Sequence, residues 1–283
     1  MSRSFATFSA LLVAFSVNAQ DWCKNKPAKL DRLSSTFENK LISDRFNHTI
    51  NPDILHYKDT QIEIATMLKP EIYGNHRWLD NDTMSVYSIY SGFTIKHAFL
   101  KNLELQLSIT DLIMKASEEI RDYNKENLNT NVSVGVKYLI YSSRNNNSKL
   151  GLFGQVTIPK FKNTLNTLFS PELRILVGRS LTKHTMLTGN LGGVYINNSK
   201  KAEIVYALNL KRNVGKRVEI FTEFYRNCLK TGPARNPNRR WLIGLGYYFL
   251  DNLYCYSSFE GGWEHEDSLN DGRIDIGLTY RIE

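Results

Sequence analysis

Six histidines and one acidic cluster are the residues of this 283-residue chain with most scope for chemistry. A Ser/His hydrolase needs a nucleophile and a base held within hydrogen-bond reach by rigid elements. His48, His56, His76, His97, His184 and His265 all fall in the N-terminal part, in loops or in turns of the pattern set out below, and none falls on a strand. No such pair is available, and the chain is not expected to be an enzyme. The run Glu264-His265-Glu266-Asp267 packs metal-ligating types into one loop, but a solvated acidic loop accounts for it equally well. No metal centre and no cofactor are expected. The sequence has no phosphate-cradling Gly loop, no Cys-x-x-Cys and no His-Glu-x-x-His.

Two other charge patterns point to binding. Arg226, Lys230, Arg235, Arg239 and Arg240 fall within residues 226–240, which hold no Asp or Glu. Guanidinium forks suit phosphate oxygens, so on an outer rim this stretch could pair with lipopolysaccharide, or simply be solvated. The second pattern mixes both signs on single strands, as in Glu172 with Arg174 and Arg273 with Asp275. A pore selective for one ion sign would carry a ring of one charge. Mixed signs suggest a network that narrows a lumen.

The elements that must position these groups are legible from periodicity. Leu103, Leu105, Leu107 and Ile109 alternate without exception with Glu104, Gln106, Ser108 and Thr110. On a strand, successive side chains point to opposite faces, so this run separates two media. The same rhythm recurs through 132–140, 150–158, 172–177, 203–210, 218–224, 241–249 and 273–282, and more weakly through 60–68, 83–95, 186–196 and 253–260, twelve segments in all. Connections alternate between short turns rich in Asn, Lys and Ser (96–101, 142–149, 182–185, 211–216, 250–252) and longer polar loops (69–82, 112–129, 159–170, 226–240, 261–272), with 197–201 as a short exception among the latter. Strands of about ten residues with short turns on one side and long loops on the other are the pattern of an outer-membrane barrel.

Charge placement separates this reading from a secreted sandwich, which also has period two. In the clear strands the apolar face carries no charge, while the other face carries Glu104, Lys137, Glu172, Arg174, Glu203, Glu219, Glu223, Arg273, Asp275 and Arg281. Glu63 joins them from the first segment. These eleven are the lumen-facing candidates. Tyr138, Tyr141, Tyr195, Trp241, Tyr247, Phe249 and Tyr280 fall near strand ends, where a membrane barrel keeps its aromatic girdles.

Composition agrees. With 42% apolar and 12% aromatic residues the chain is not disordered, and three cysteines exclude a disulfide scaffold. A mean hydropathy of −0.36 argues against a bundle of membrane helices but not against a barrel. Arg3, the apolar stretch 5–17 and the Val17-Asn18-Ala19 site read as a cleaved signal peptide, 1–19. The excess of 36 Lys+Arg over 28 Asp+Glu does not suggest nucleic acid in an exported chain. Residues 60–283 are thus expected to form an all-β, antiparallel transmembrane barrel of about twelve strands. Residues 20–59 form a mostly irregular segment that plugs the lumen, caps its periplasmic mouth or is a flexible leader. Cys228 begins an outer loop and Cys255 faces lipid near the inner end of its strand, so the two are not expected to bond.

Short motifs add a resemblance. Leu41-Ile42-Ser43-Asp44-Arg45 with Thr49 and Gln61-Ile62-Glu63, then Gly135-Val136-Lys137-Tyr138, Ile158-Pro159, Glu172-Leu173-Arg174, Asn190-Leu191-Gly192, Gly244-Leu245-Gly246-Tyr247 and Gly277-Leu278-Thr279-Tyr280-Arg281, occur in the order found in a known group. The chain resembles the exported outer-membrane barrels grouped with meta-pathway phenol-degradation and related transporter-like proteins. It departs from them in ending Arg281-Ile282-Glu283, where a terminal aromatic is usual for the barrel-insertion machinery. The resemblance implies a passive outer-membrane channel or transporter for small, hydrophobic solutes, with outer-membrane lipid and lipopolysaccharide around it. The alternative is a structural or adhesive barrel with a closed lumen.

Overall fold

Strict alternation along twelve segments leaves few architectures, and the structure adopts a closed one. The computed structural model describes residues 49–73, 84–115, 129–160, 169–196, 201–227, 238–262 and 272–283. The signal sequence, residues 20–48, Lys230, Arg235, the 264–267 loop, Cys23, Cys228, His48, His76 and His265 lie outside the described residues.

The strands are β1 (Thr60–Tyr73), β2 (Met84–Leu100), β3 (Leu103–Lys115), β4 (Asn129–Ser142), β5 (Ser148–Lys160), β6 (Ser170–Ser180), β7 (Thr185–Ile196), β8 (Lys201–Val214), β9 (Val218–Asn227), β10 (Asn238–Leu250), β11 (Leu253–Gly262) and β12 (Arg273–Ile282). Each pairs antiparallel with its successor. β1 pairs with β12 from Thr60↔Ile282 to Leu68↔Ile274, so no edge is left unpaired. The shortest strands have 10 residues and the longest 17, enough to cross a bilayer core that needs about 9–11 tilted residues.

The short turns are 101–102, 143–147, 181–184, 215–217 and 251–252, all at one end of the barrel. Two of them need the left-handed backbone. Gly215 has φ 69°, and Asn146, at φ 53°, is fixed by its Oδ1 accepting from Ser142 Oγ at 2.8 Å. The expected turn at 96–101 is mostly strand. β2 runs on to Leu100, with Lys96 and Ala98 buried inside, because alternation continues through Lys96-His97 although the apolar rhythm lapses there.

Burial is inverted relative to a soluble protein. Val134, Leu173 and Ile276 are 53, 61 and 55% exposed on the outside, whereas Glu104, Lys137 and Glu260 are at most 1% exposed inside. An exterior of this kind, continuous around the closed sheet, is stable only against an apolar medium. Aromatic residues mark both rims of the apolar band. Phe99, Tyr138, Tyr141, Tyr247, Phe249 and Tyr280 point outward near the short-turn end. Tyr195, Trp241 and Phe259 do so toward the other, the last two with ring centroids 5.7 Å apart.

Inside, aromatic rings lie flat on wall glycines. Tyr256 covers Gly277, where an added Cβ would come within 2.2 Å of the ring, and Tyr254 covers Gly246, where it would come within 2.5 Å of the ring and 2.1 Å of the hydroxyl. Gly277→Val should therefore force Tyr256 from the wall and cost about 1–3 kcal/mol. Gly193→Val, on an exposed position whose nearest neighbour is 3.6 Å away, should be neutral or stabilising. Urea unfolding in detergent checks the pair, and equal effects would show that ring-on-glycine packing contributes nothing.

Candidate functional site: the barrel lumen

The same strand parity that puts aliphatics outside delivers a line of polar side chains to the interior from every strand, and cross-strand register decides which of them meet. Glu104 stands directly opposite Lys137, at 3.0 Å. Gln106 Nε2 donates to Glu104 Oε1 at 2.9 Å. On β1 and β2, Glu63 accepts from Lys96 Nζ and Gln61 Nε2, each at 2.6 Å. Arg174 donates from Nε to Glu172 and from Nη1 to Asn190 Oδ1 at 3.3 Å, and Gln155 also reaches Glu172. Near the long-loop end Glu260 pairs with Arg240 at 2.7 Å and Arg273 at 3.6 Å. Ser258 donates to Asp275, its register partner, and Asn209 to Glu223, likewise. Arg281 lies 3.8 Å from Asp59.

These contacts run along the wall between neighbouring strands or along one strand. Tyr254 on β11 also reaches Glu219 on β9, past the strand between them, at 3.1 Å. An ion pair desolvated on both sides needs its partner nearby, and the register supplies one directly for Glu104 with Lys137 and Glu260 with Arg273.

Ten of the eleven lumen-facing candidates therefore make wall contacts: Glu63, Glu104, Lys137, Glu172, Arg174, Glu219, Glu223, Arg273, Asp275 and Arg281. Glu203 is half-buried on β8, in phase with the buried Val205. Arg240 is a correction. Grouped above with the phosphate-binding residues, it points inward and is 3% exposed, because it shares the parity of Leu242 and Gly244 and binds Glu260. Arg226 and Arg239 do lie on the outer face. His97 is a second correction: it sits on β2, its Nδ1 3.0 Å from Thr60 Oγ1. Among the described residues no cluster of three or more His, Cys, Asp or Glu is arranged to hold a metal. Cys255 is free, half-buried, and in phase with the exposed Phe259.

Two further features line the lumen, the first not read from the sequence and the second one of three paths open to residues 20–59. One is an aromatic lining across β9 to β11, with Phe221, Tyr248, Tyr254 and Tyr256 all at most 5% exposed. Tyr248 and Tyr254, ring centroids 4.6 Å apart, both donate to Glu219, at 3.3 and 3.1 Å. Their shared parity with Ser258 and Glu260 was the available signal. The other is the segment just before β1. Ile50 packs with Phe153 and Leu176, and Pro52 lies over Gly178. Asp53 binds Lys149 through its carboxylate and Lys137 through its carbonyl, and Leu55 N donates to Glu104 Oε2 at 3.1 Å. Residues 50–55 thus lie against the inner wall of β3 to β6. A small cavity of about 30 Å³ remains beside them, bounded by Ile50, Phe153, Glu63, Lys96, Thr94, Ser108, Thr110 and Tyr256.

Solved structures share this fold at low identity. An outer membrane channel from Pseudomonas putida F1 matches with TM-score 0.57 at 10% identity, over 85% of this chain and 100% of that one. The NanC porin matches with TM-score 0.50 at 10% identity, over 77% and 100% of the two chains. The KdgM porin in complex with disordered oligogalacturonate matches with TM-score 0.50 at 10% identity, over 78% and 99%. At this identity the likeness establishes the fold. No family model and no curated protein matches the sequence, so the resemblance to the phenol-degradation group rests on its short motifs.

Proposed function

We propose that this chain is an outer-membrane channel, not an enzyme, through which small solutes pass passively. The observation that carries the reading is a closed wall with an apolar exterior and a polar interior. A barrel held in a membrane this way offers water-soluble groups a route that lipid denies them. The solved structures named above are themselves a channel and two porins, which supports the same reading. The aromatic lining of Phe221, Tyr248, Tyr254 and Tyr256 favours a small solute with apolar or aromatic surface, as the family resemblance implies. Lipopolysaccharide and lipid surround the barrel, and the insertion machinery reads β12. Residues 50–55 act as a plug that limits passage.

One observation favours a second reading. The plug and the burial of the inward side chains suit a structural or adhesive barrel whose lumen conducts nothing. Planar-bilayer recordings distinguish the two. Under the channel reading the mature chain carries a small current, and removal of residues 20–55 raises it severalfold. Absence of current in both forms would replace the channel with the structural barrel.

A further inference from the structure

The charge of the short-turn end is concentrated on one side of the barrel. Residues 142–149, 178–187 and 210–218, the three turns from β4 to β9 with their flanks, hold eight Lys and Arg and no Asp or Glu. Around the rest of that end, Lys58, Lys101 and Arg281 are balanced by Asp59, Asp251 and Glu283. The three turns join edge to edge, since Ser180 N donates to Asn147 O at 2.7 Å and Asn213 N to His184 O at 2.8 Å. Two of the bases turn inward to acids, Lys149 to Asp53 and Lys211 toward Glu219 at 4.0 Å. Arg144, Lys183, Arg212, Lys216 and Arg217 are exposed, and Arg179 is half-buried on the outer face.

The end of β8 shows both kinds of base side by side. Lys211 points into the lumen, whereas Arg212 points outward, and its register partners are Thr185 and Ile220. Leu208 and Leu210 precede it on the same exposed column and Val214 follows, with Leu181 exposed on the adjoining turn. Arg212 thus ends an apolar column, about 6–7 Å beyond Leu210. A guanidinium there is costly to leave against hydrocarbon, and its stem is long enough to carry it to the headgroup layer. Exposed Leu181 and Val214 set among the bases need an apolar covering, which a lipid supplies along with the negative charge and a soluble polyanion does not. A phosphodiester on Arg212 would lay its acyl chain along Leu210 and Leu208, while Lys216 and Arg217 in the next turn add to the field. Zwitterionic lipid brings its own ammonium into that field, so the arc favours lipid of net negative charge.

We propose that the β4 to β9 side of the short-turn rim binds anionic phospholipid of the inner leaflet, with Arg212 on the phosphate. The proposal rests on the outer-membrane reading but not on conduction.

The test uses the mature chain folded in neutral detergent, with the melting midpoint followed as phosphatidylglycerol, phosphatidylcholine or soluble polyglutamate is added. Phosphatidylglycerol should raise the wild-type midpoint by more than phosphatidylcholine does, and added salt should shrink the difference. Arg212→Gln with Lys216→Gln should lose most of it. Lys58→Gln with Lys101→Gln, which removes the same charge from the balanced side, should keep it. Lys216→Gln with Arg217→Gln, confined to an exposed turn, repeats the comparison without touching a strand. Equal losses on the two sides overturn the site and leave only total charge. An equal rise with phosphatidylcholine overturns the selectivity for anionic lipid. An equal rise with polyglutamate overturns lipid as the occupant and assigns the face to an acidic soluble partner. A chain that will not insert into bilayers overturns the membrane reading, and the site falls with it. Insertion without any response to phosphatidylglycerol overturns the site alone.

Discussion

Val134→Arg is expected to cost the inserted barrel about 2–4 kcal/mol, and Ile140→Arg about 0–1 kcal/mol. Val134 is 53% exposed near the middle of β4, opposite Leu107 and Val156 on the same apolar face. Ile140 is 48% exposed, close to the turn and to Tyr141. The two differ in depth and hardly in exposure. In water both changes would fall within about ±0.5 kcal/mol, as exposed substitutions do. A charge at mid-membrane has neither water nor a partner, whereas one near the rim reaches the headgroups. Reversible urea unfolding from lipid vesicles measures both. Two small, equal effects would show that the apolar face does not meet lipid.

The second large effect is expected inside. Lys137→Met should cost about 3–5 kcal/mol, because it strands Glu104 with both side chains only 1% exposed. Adding Glu104→Leu should recover much of that loss, since removing both charges also removes both desolvation costs. The double variant should regain stability but not the plug. Lys137 holds the Asp53 carbonyl and Glu104 the Leu55 amide, so residues 50–55 lose two anchors together. Protease cleavage within that segment should rise even as the urea midpoint recovers. Strictly additive stability effects would refute the pairing.

The wall was legible in the sequence because alternation is local. Leu103 to Thr110 states both faces of β3 in eight residues, and the same rhythm located all twelve strands. Where a polar pair such as Lys96-His97 broke the apolar rhythm, the end of β2 was lost although the backbone kept its period. Interior aromatics were hidden for the opposite reason. Tyr247, Tyr248 and Phe249 are apolar on both faces, so composition does not say which ring faces lipid and which faces Glu219. Parity would have assigned Glu260 and Arg240, each two residues along from an inward position, Ser258 and Leu242. The lack of strand rhythm in residues 20–59 allowed a plug, a cap or a leader but did not choose among them. Asp53 meets Lys149 and Leu55 meets Glu104 across separations of 96 and 49 residues, and nothing in residues 49–59 encodes either contact.

Residues 50–55 lie inside a ring whose seam joins the first strand to the last. That geometry constrains the order of events during biogenesis. Once β1 and β12 have zipped through their nine register pairs from Thr60↔Ile282 to Leu68↔Ile274, nothing can enter through the wall, and a segment tethered directly to β1 would have to be fed in through an open end. The simpler route is for the growing sheet to curl around the segment, with Ile50 settling on Phe153 and Leu176 while the seam is still apart. Closure would then be the final step, and because it joins residues from opposite ends of the chain it carries the largest loop entropy of any pairing in the molecule. A strand order that makes the barrel edgeless also makes its interior a record of what was present when it shut.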